Sequence, residues 1–255
     1  MSLEFFPNSH RYKLDGEWVP GVTTVIKGGL PSPALMYWSA RTVAEWVADN
    51  ASGVEQLRSM GRGPMVQALK EVPWQERDDA AVRGTDIHGF AEQLIHGDDV
   101  DVPAHLTDYV QSCVRFMDEW KVTPLIVEAP LGSRAHKYAG KADLFGQMPD
   151  GRIGLFDYKT GSGIYPETAF QLAAYRNAEF YTDNDGVEHP IPVVDFCAAV
   201  WLQPHDYKVI PVKADEATFA EFLAIYQVSE AAKRAKGSKT KAGYVLEPIT
   251  PGEAA

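Results

Sequence analysis

The chain has 255 residues, 45% of them apolar, and its 24 basic against 35 acidic residues leave a formal net charge of −11. That length supports one large core, whereas the acidic balance argues against a protein that grips nucleic acid over its whole surface; a polyanion partner would have to meet a local basic patch or a metal. Only Cys113 and Cys197 are present, too few for a thiolate metal site, a four-cysteine iron–sulfur cluster or a disulfide framework. No uncharged apolar run approaches the roughly eighteen residues of a membrane span, and the opening MSLEFFPNSH has no basic or apolar leader character, so a cytoplasmic protein without membrane contact is expected.

In chain order, HRYKLDGEWVPGVTTVI alternates polar and apolar residues around Asp15-Gly16, which predicts a β-hairpin over residues 10–26. After PSPA, LMYWSARTVAEWVADN has apolar residues at helical spacing, and further helices are predicted over 54–70, 78–96 and 103–120. At TPLIVEAPLGS the pattern turns to β-branched and apolar runs. KYAGKADLFGQM, a PDG turn and RIGLFDYKTG complete a three-stranded antiparallel meander. A helix in YPETAFQLAAYRNAEFY follows, then strands in PVVDFCAAVWLQP and DYKVIPV and a last helix from Asp215 to about Lys236. This order predicts an α/β fold, a mixed central β-sheet flanked by helices with a helical N-terminal half. One domain of residues 1–255 is expected: a mostly helical part over 1–121, a core over 122–236 and a tail over 237–255.

The meander carries an unusual density of charge. A hairpin centred on Asp150 puts Asp143 directly opposite Asp157, about 5 Å apart, and a two-residue turn would make them diagonal neighbours at about 7 to 8 Å. The strand period of two places Lys159 on the face of Asp157 and turns Tyr158 the other way. Two carboxylates about 6 Å apart repel by about 3 kcal/mol at an effective dielectric near 20, and a lysine beside them returns a similar amount, so a structural ion cluster is one reading. A divalent cation held by the acids beside the lysine is the other. Elsewhere, His88 and Glu92 are four apart on one helical face, as are Gln171 and Tyr175. Glu128 is an acid in the otherwise apolar LIVEAPLG.

His88 within GTDIHGFAE, Asp143 within GKADLFG, DYKTG with Asp157 and Lys159, and the Gln171–Tyr175 pair resemble, in order and spacing, the motifs of RecB-like nucleases of the PD-(D/E)XK superfamily. The resemblance spans residues 84–175, and HRYKLDGEWVPGVTTVI with PALMYWSA is similar to phage-encoded exonucleases of that group. It implies a restriction-endonuclease-like core and a Mg²⁺- or Mn²⁺-dependent deoxyribonuclease, an exonuclease of phage or bacterial recombination and repair. Residue by residue, it implies that His88, Asp143 and Asp157 hold the metal with the backbone carbonyl of Tyr158, and that Glu128 reaches it through water. Lys159 then orients the attacking water, and Gln171 and Tyr175 position that lysine or the DNA backbone. The family more often has glutamate at the position of Asp157.

DNA is the expected partner, with a single-strand annealing or recombinase protein as a second. Lys233, Arg234, Lys236, Lys239 and Lys241 in KRAKGSKTK form the basic patch expected to guide DNA; SRAHK, residues 133–137, is a weaker one. A solvated helix end and a charged hairpin tip are the plain alternatives for these two patches. A structure-specific endonuclease on the same fold and a catalytically silent DNA-binding module are the competing functions. No GxxxxGK[ST] phosphate loop is present.

Overall fold

The structure, a computed structural model, describes residues 2–95, 97–98 and 100–236; the side chains of residues 33, 34 and 80 lie outside that description. Its centre is a seven-stranded mixed sheet of order β10-β9-β6-β5-β4-β7-β8, made from β4 (Thr123–Ser133), β5 (Tyr138–Gln147), β6 (Ile153–Lys159), β7 (Phe180–Thr182), β8 (Glu188–Pro190), β9 (Phe196–Gln203) and β10 (Asp206–Val212). The expected meander is present: β4 to β6 are antiparallel neighbours, and β9 joins β6 in parallel. The parallel step needs a crossover, and α6 (Glu167–Arg176) lies in it. The β7–β8 hairpin, turned at Gly186, falls where the long helix over YPETAFQLAAYRNAEFY was predicted to end; α6 stops at Arg176 and Phe180 joins the sheet instead.

Helices cover both faces, because alternate residues of the central strands are apolar on both sides. One face buries Tyr138, Phe145, Leu155 and Cys197 against α1 (Val22–Gly29), α6 and α7 (Glu216–Lys236), which contribute Val25, Ile26, Leu172, Phe222 and Ile225. The other buries Leu144, Phe156, Tyr158, Val200 and Leu202 against Ile87 and Ala91 of α4 (Arg62–Ile95) and Cys113 and Phe116 of α5 (Thr107–Trp120). Phe116 and Phe156 meet edge to face at 5.3 Å. Each fully buried side chain of this size contributes about 1.5 to 3 kcal/mol.

A small sheet of β1 (Leu3–Phe6), β2 (Arg11–Leu14) and β3 (Glu17–Val19) packs Leu3, Tyr12, Leu14 and Val19 over Ala139 and Phe180. The hairpin turns at Asp15-Gly16, both at positive φ, as the dipeptide requires. It ends at Val19, however, and residues expected to complete it form α1. Val22, Val25 and Ile26 recur at helical spacing and are buried, and α1 lies so close to α7 that a Cβ on Gly29 would fall 2.2 Å from the Ile225 carbonyl. That contact favours the helix over β-branched strand propensity.

The helical N-terminal half is present as α2 (Pro33–Asp49), α3 (Ala51–Ser59), α4 and α5. The helices predicted over 54–70 and 78–96 are divided differently: α3 stops at Ser59, and α4 runs unbroken from Arg62 through Pro73 to Ile95. Pro73 continues the row begun by Val66 and Leu69 and is buried, so packing outweighs the one backbone hydrogen bond that proline removes.

Candidate functional site

The site forms where the central ladder breaks. β5 and β6 pair through Leu144↔Phe156 and no further, while β6 stays paired to β9 as far as Lys159. The register, with Gln147 opposite Ile153 and Leu144 opposite Phe156, is that of a hairpin centred on Asp150, so Asp143 and Asp157 occupy facing positions at the break. The edge of β6 that β5 leaves unpaired is taken up by side chains. Tyr158 N–H donates to Asp143 Oδ2 at 2.7 Å, and the Tyr158 carbonyl lies 3.1 Å from His88 Nε2. Both groups of one strand residue point to the same side, which is why one residue serves both.

Three elements supply the first half of the site. His88 comes from α4, held over the sheet by Ile87 and Ala91 of the same turns and edge to face with Tyr158 at 5.8 Å. Its Nδ1 lies 3.3 Å from Glu128 Oε1 and 3.6 Å from Asp143 Oδ1. Glu128 sits in β4 between the pairs Val127↔Leu144 and Ala129↔Ala142, with φ at +48°, a left-handed conformation in the middle of a strand. Such strain costs about 1 to 3 kcal/mol and persists only where surroundings enforce it. Lys141 Nζ fixes the other carboxylate oxygen at 2.6 Å.

The second half is built on β6 and α6. Lys159 and Asp157 form an ion pair on one strand face. Gln171 Nε2 donates to Asp157 Oδ1 at 2.9 Å and to the Tyr175 hydroxyl at 3.3 Å, and Gln171 Oε1 accepts from Lys159 Nζ at 3.3 Å. The i, i+4 spacing of Gln171 and Tyr175 puts both on the face of α6 that meets the sheet. Gly140 makes room for it, since a Cβ there would fall 2.4 Å from the Tyr175 ring.

The two halves differ electrostatically. Burial opposes charge on the His88 imidazole, but the charges of Asp143, Glu128 and Asp157 outweigh it and raise its pKa to about 9. Burial pushes the Asp143 carboxyl up to about 7; His88 and Lys159 oppose the rise, and Asp157 and Glu128 add to it. Burial also acts against the Glu128 carboxylate, yet His88 and Lys141 hold it below the usual range. Lys159 stays above its ordinary value, because Asp157 and Asp143 outweigh its burial.

One imidazole and two carboxylates thus converge, with ligand atoms of His88, Glu128 and Asp143 all within 4.8 Å of one another. Glu128 Oε1 beside His88 Nδ1 and Asp157 Oδ2 beside Lys159 are both buried, with no further hydrogen-bond donor among the described residues. Hard oxygens with one borderline nitrogen suit a divalent cation. Of the residues named from the sequence, His88, Glu128 and Asp143 lie together, the Tyr158 carbonyl meets the other ring nitrogen of His88, and Asp157 turns its carboxylate to Lys159 and Gln171. Lys141 was not singled out; its position two residues before Asp143, on the same strand, was the available signal.

The basic patches are elsewhere. Lys233, Arg234 and Lys236 form the last turn of α7, with Lys233 3.8 Å from Glu230; Lys239 and Lys241 lie outside the described residues. In the second patch, Arg134 is neutralised by Asp15 at 2.9 Å and Glu188 at 2.7 Å.

These features define an α/β protein with a candidate divalent-cation centre at a break in its central sheet. No protein-family model matches the chain, and no curated protein does. Among solved structures it is similar to LHK-Exo in complex with dAMP, at 14% identity and a TM-score of 0.34, over 58% of this chain and 84% of that one. Among the described residues, no helix is long and apolar enough to cross a membrane.

Proposed function

We propose that the protein is a divalent-metal-dependent nuclease of the RecB-like PD-(D/E)XK group that hydrolyses phosphodiester bonds in DNA. The observation that carries this reading is the convergence of His88, Glu128 and Asp143 next to a lysine held by its own partners. His88, Glu128, Asp143 and the Tyr158 carbonyl would hold Mg²⁺ or Mn²⁺, with Asp157 adjacent. A bound divalent ion supplies a water of lowered pKa and neutralises charge on phosphate oxygens.

The chain's own part follows from the positions. Asp157 and Gln171 fix Lys159, whose side chain is about a third exposed, so that its ammonium steadies charge building on the phosphate. Tyr175 holds Gln171 in the orientation that accepts from Lys159. Asp143 ties the site to the backbone of β6 through the Tyr158 amide. The finer role is exonucleolytic action in phage or bacterial DNA recombination and repair, alongside a single-strand annealing or recombinase protein.

Labelled linear and covalently closed DNAs, single and double stranded, incubated with Mg²⁺ or Mn²⁺, test this. Cleavage of linear DNA alone is expected, and Lys159→Ala or EDTA should lower the rate by at least about a thousandfold while the circular dichroism spectrum stays unchanged. EDTA-insensitive cleavage would sink the proposal. Cutting of closed circles would favour an endonuclease, and binding without any cleavage a silent DNA-binding module.

A further inference from the structure

Five residues before His88, α4 carries a cation that the site described so far does not use. Arg83 Nε is buried, and no hydrogen-bond partner meets it among the described residues. No ion pair to Arg83 forms among them either, although thirty-five acids are spread through the chain. A guanidinium stays charged at every accessible pH, and leaving one of its donors buried and unmatched costs free energy that a folded protein rarely leaves unanswered.

Its position says what would answer it. Arg83 is four residues from Ile87, which is fully buried against Tyr158 and Val200, so its stem leaves α4 on the side that faces the sheet. The next residue, Gly84, passes so near the end of β6 that a Cβ there would lie 3.5 Å from Thr160 Oγ1. This turn of α4 therefore crosses the chain just after Lys159. Beyond Thr160 the backbone runs as Gly161, Ser162 and Gly163, whose amides make no hydrogen bond among the described residues. Cβ atoms at both glycines would meet open space, and Trp201 Nε1 pins the loop by donating to the Gly161 carbonyl at 2.8 Å.

We infer that Arg83 binds a backbone phosphate diester of the nucleic-acid strand, next to the one at Lys159, with the Gly161–Gly163 loop lying along the same stretch of strand. The inference rests on the nuclease reading and adds a strand-positioning contact to it. A guanidinium matches two phosphate oxygens at once, which a lysine cannot do. Because phosphate contacts fix register without reading sequence, the contact would be indifferent to base identity.

The test uses the full chain carrying Lys159→Ala, loaded with Mn²⁺, and a short fluorescein-labelled DNA duplex with hydroxyl ends, so that only diester phosphates are present. Binding is titrated at several salt concentrations. Adding Arg83→Met, which keeps an apolar stem beside Ile87, should weaken binding about tenfold and make the slope of log K against log salt shallower by about 0.9. Arg83→Lys should restore the slope but not all of the affinity. Should methionine not be tolerated, as judged by circular dichroism, Arg83→Gln is held to the same criteria. Affinity and slope unchanged from the Lys159→Ala parent overturn the assignment of Arg83 alone. A parent that binds no DNA at any salt concentration overturns the nuclease reading together with it.

Discussion

The two halves of the site solve opposite problems with the same residue types. On β6 and α6, the Asp157 carboxylate is matched by Lys159 and Gln171, and Gln171 in turn by Tyr175. On α4, β4 and β5, Glu128 is met by Lys141 and shares with Asp143 one imidazole whose pKa is raised to about 9. In the first half one acid is matched by one lysine and one side-chain amide. In the second, Glu128 has Lys141 while Asp143 forms no lysine or arginine ion pair among the described residues and relies on the imidazole, whose proton a divalent ion would replace. An acidic cluster alone does not indicate a metal; a buried acid whose ion-pair partner is an imidazole, beside one paired with a lysine, is a stronger sign.

This contrast predicts mutations of opposite sign at facing positions. Asp157→Ala should destabilise the protein by about 2 to 3 kcal/mol in urea melts, because it strands the Lys159 ammonium and removes the shorter of the two hydrogen bonds that Gln171 Nε2 donates. No loss of stability there would mean that the Asp157–Lys159 pair does not hold the β6 half together.

Next in size is the pH dependence in EDTA. His88 rises from an ordinary 6.5 to about 9 and Asp143 from 3.8 to about 7, so the folded state holds protons that the unfolded chain has already released. Stability should therefore fall as pH rises, through the Asp143 window between about 4 and 7 and the His88 window between about 6.5 and 9, with the lowered Glu128 carboxyl opposing the trend only at the acid end. Mn²⁺ should reverse the trend, because its ligands must be deprotonated, and the thermal shift it produces should grow with pH. A flat melting temperature between pH 5 and 9 in EDTA would count against this account.

Asp143→Asn keeps an acceptor for the Tyr158 amide and removes one buried charge. At pH 8 without metal it should stabilise the fold by about 1 to 2 kcal/mol, and Mn²⁺ should no longer raise the melting temperature. Destabilisation instead would show that the carboxylate is structural. The smallest effect belongs to Tyr175→Phe, which removes one hydroxyl at 3.3 Å from Gln171 and should cost about 0.5 to 1 kcal/mol, with a slower rate from a less firmly held Lys159.

Much of the sheet was legible in advance. β4, β5 and β6, α6, and the last two strands and α7 follow from apolar periodicity, and the PDG turn set the register that puts Asp143 opposite Asp157. Local pattern failed where packing competes with propensity. VTTVI reads as a strand but forms α1 against α7, and Pro73 reads as a boundary but lies inside α4. β1 and the β7–β8 hairpin, three to four residues per strand, are too short to show a period.

For the site, the sequence by itself determined which residues were chemically available: an imidazole on a helix, acids at set places along three strands, and a lysine two residues beyond one of them. Tertiary structure decided how they divide. Where the β5–β6 ladder stops and how the backbone turns at Glu128 depend on non-local pairing and on close contacts such as Gly140 with Tyr175. Those events choose which carboxylate meets the lysine and which meets the histidine, and no periodicity along the chain encodes them.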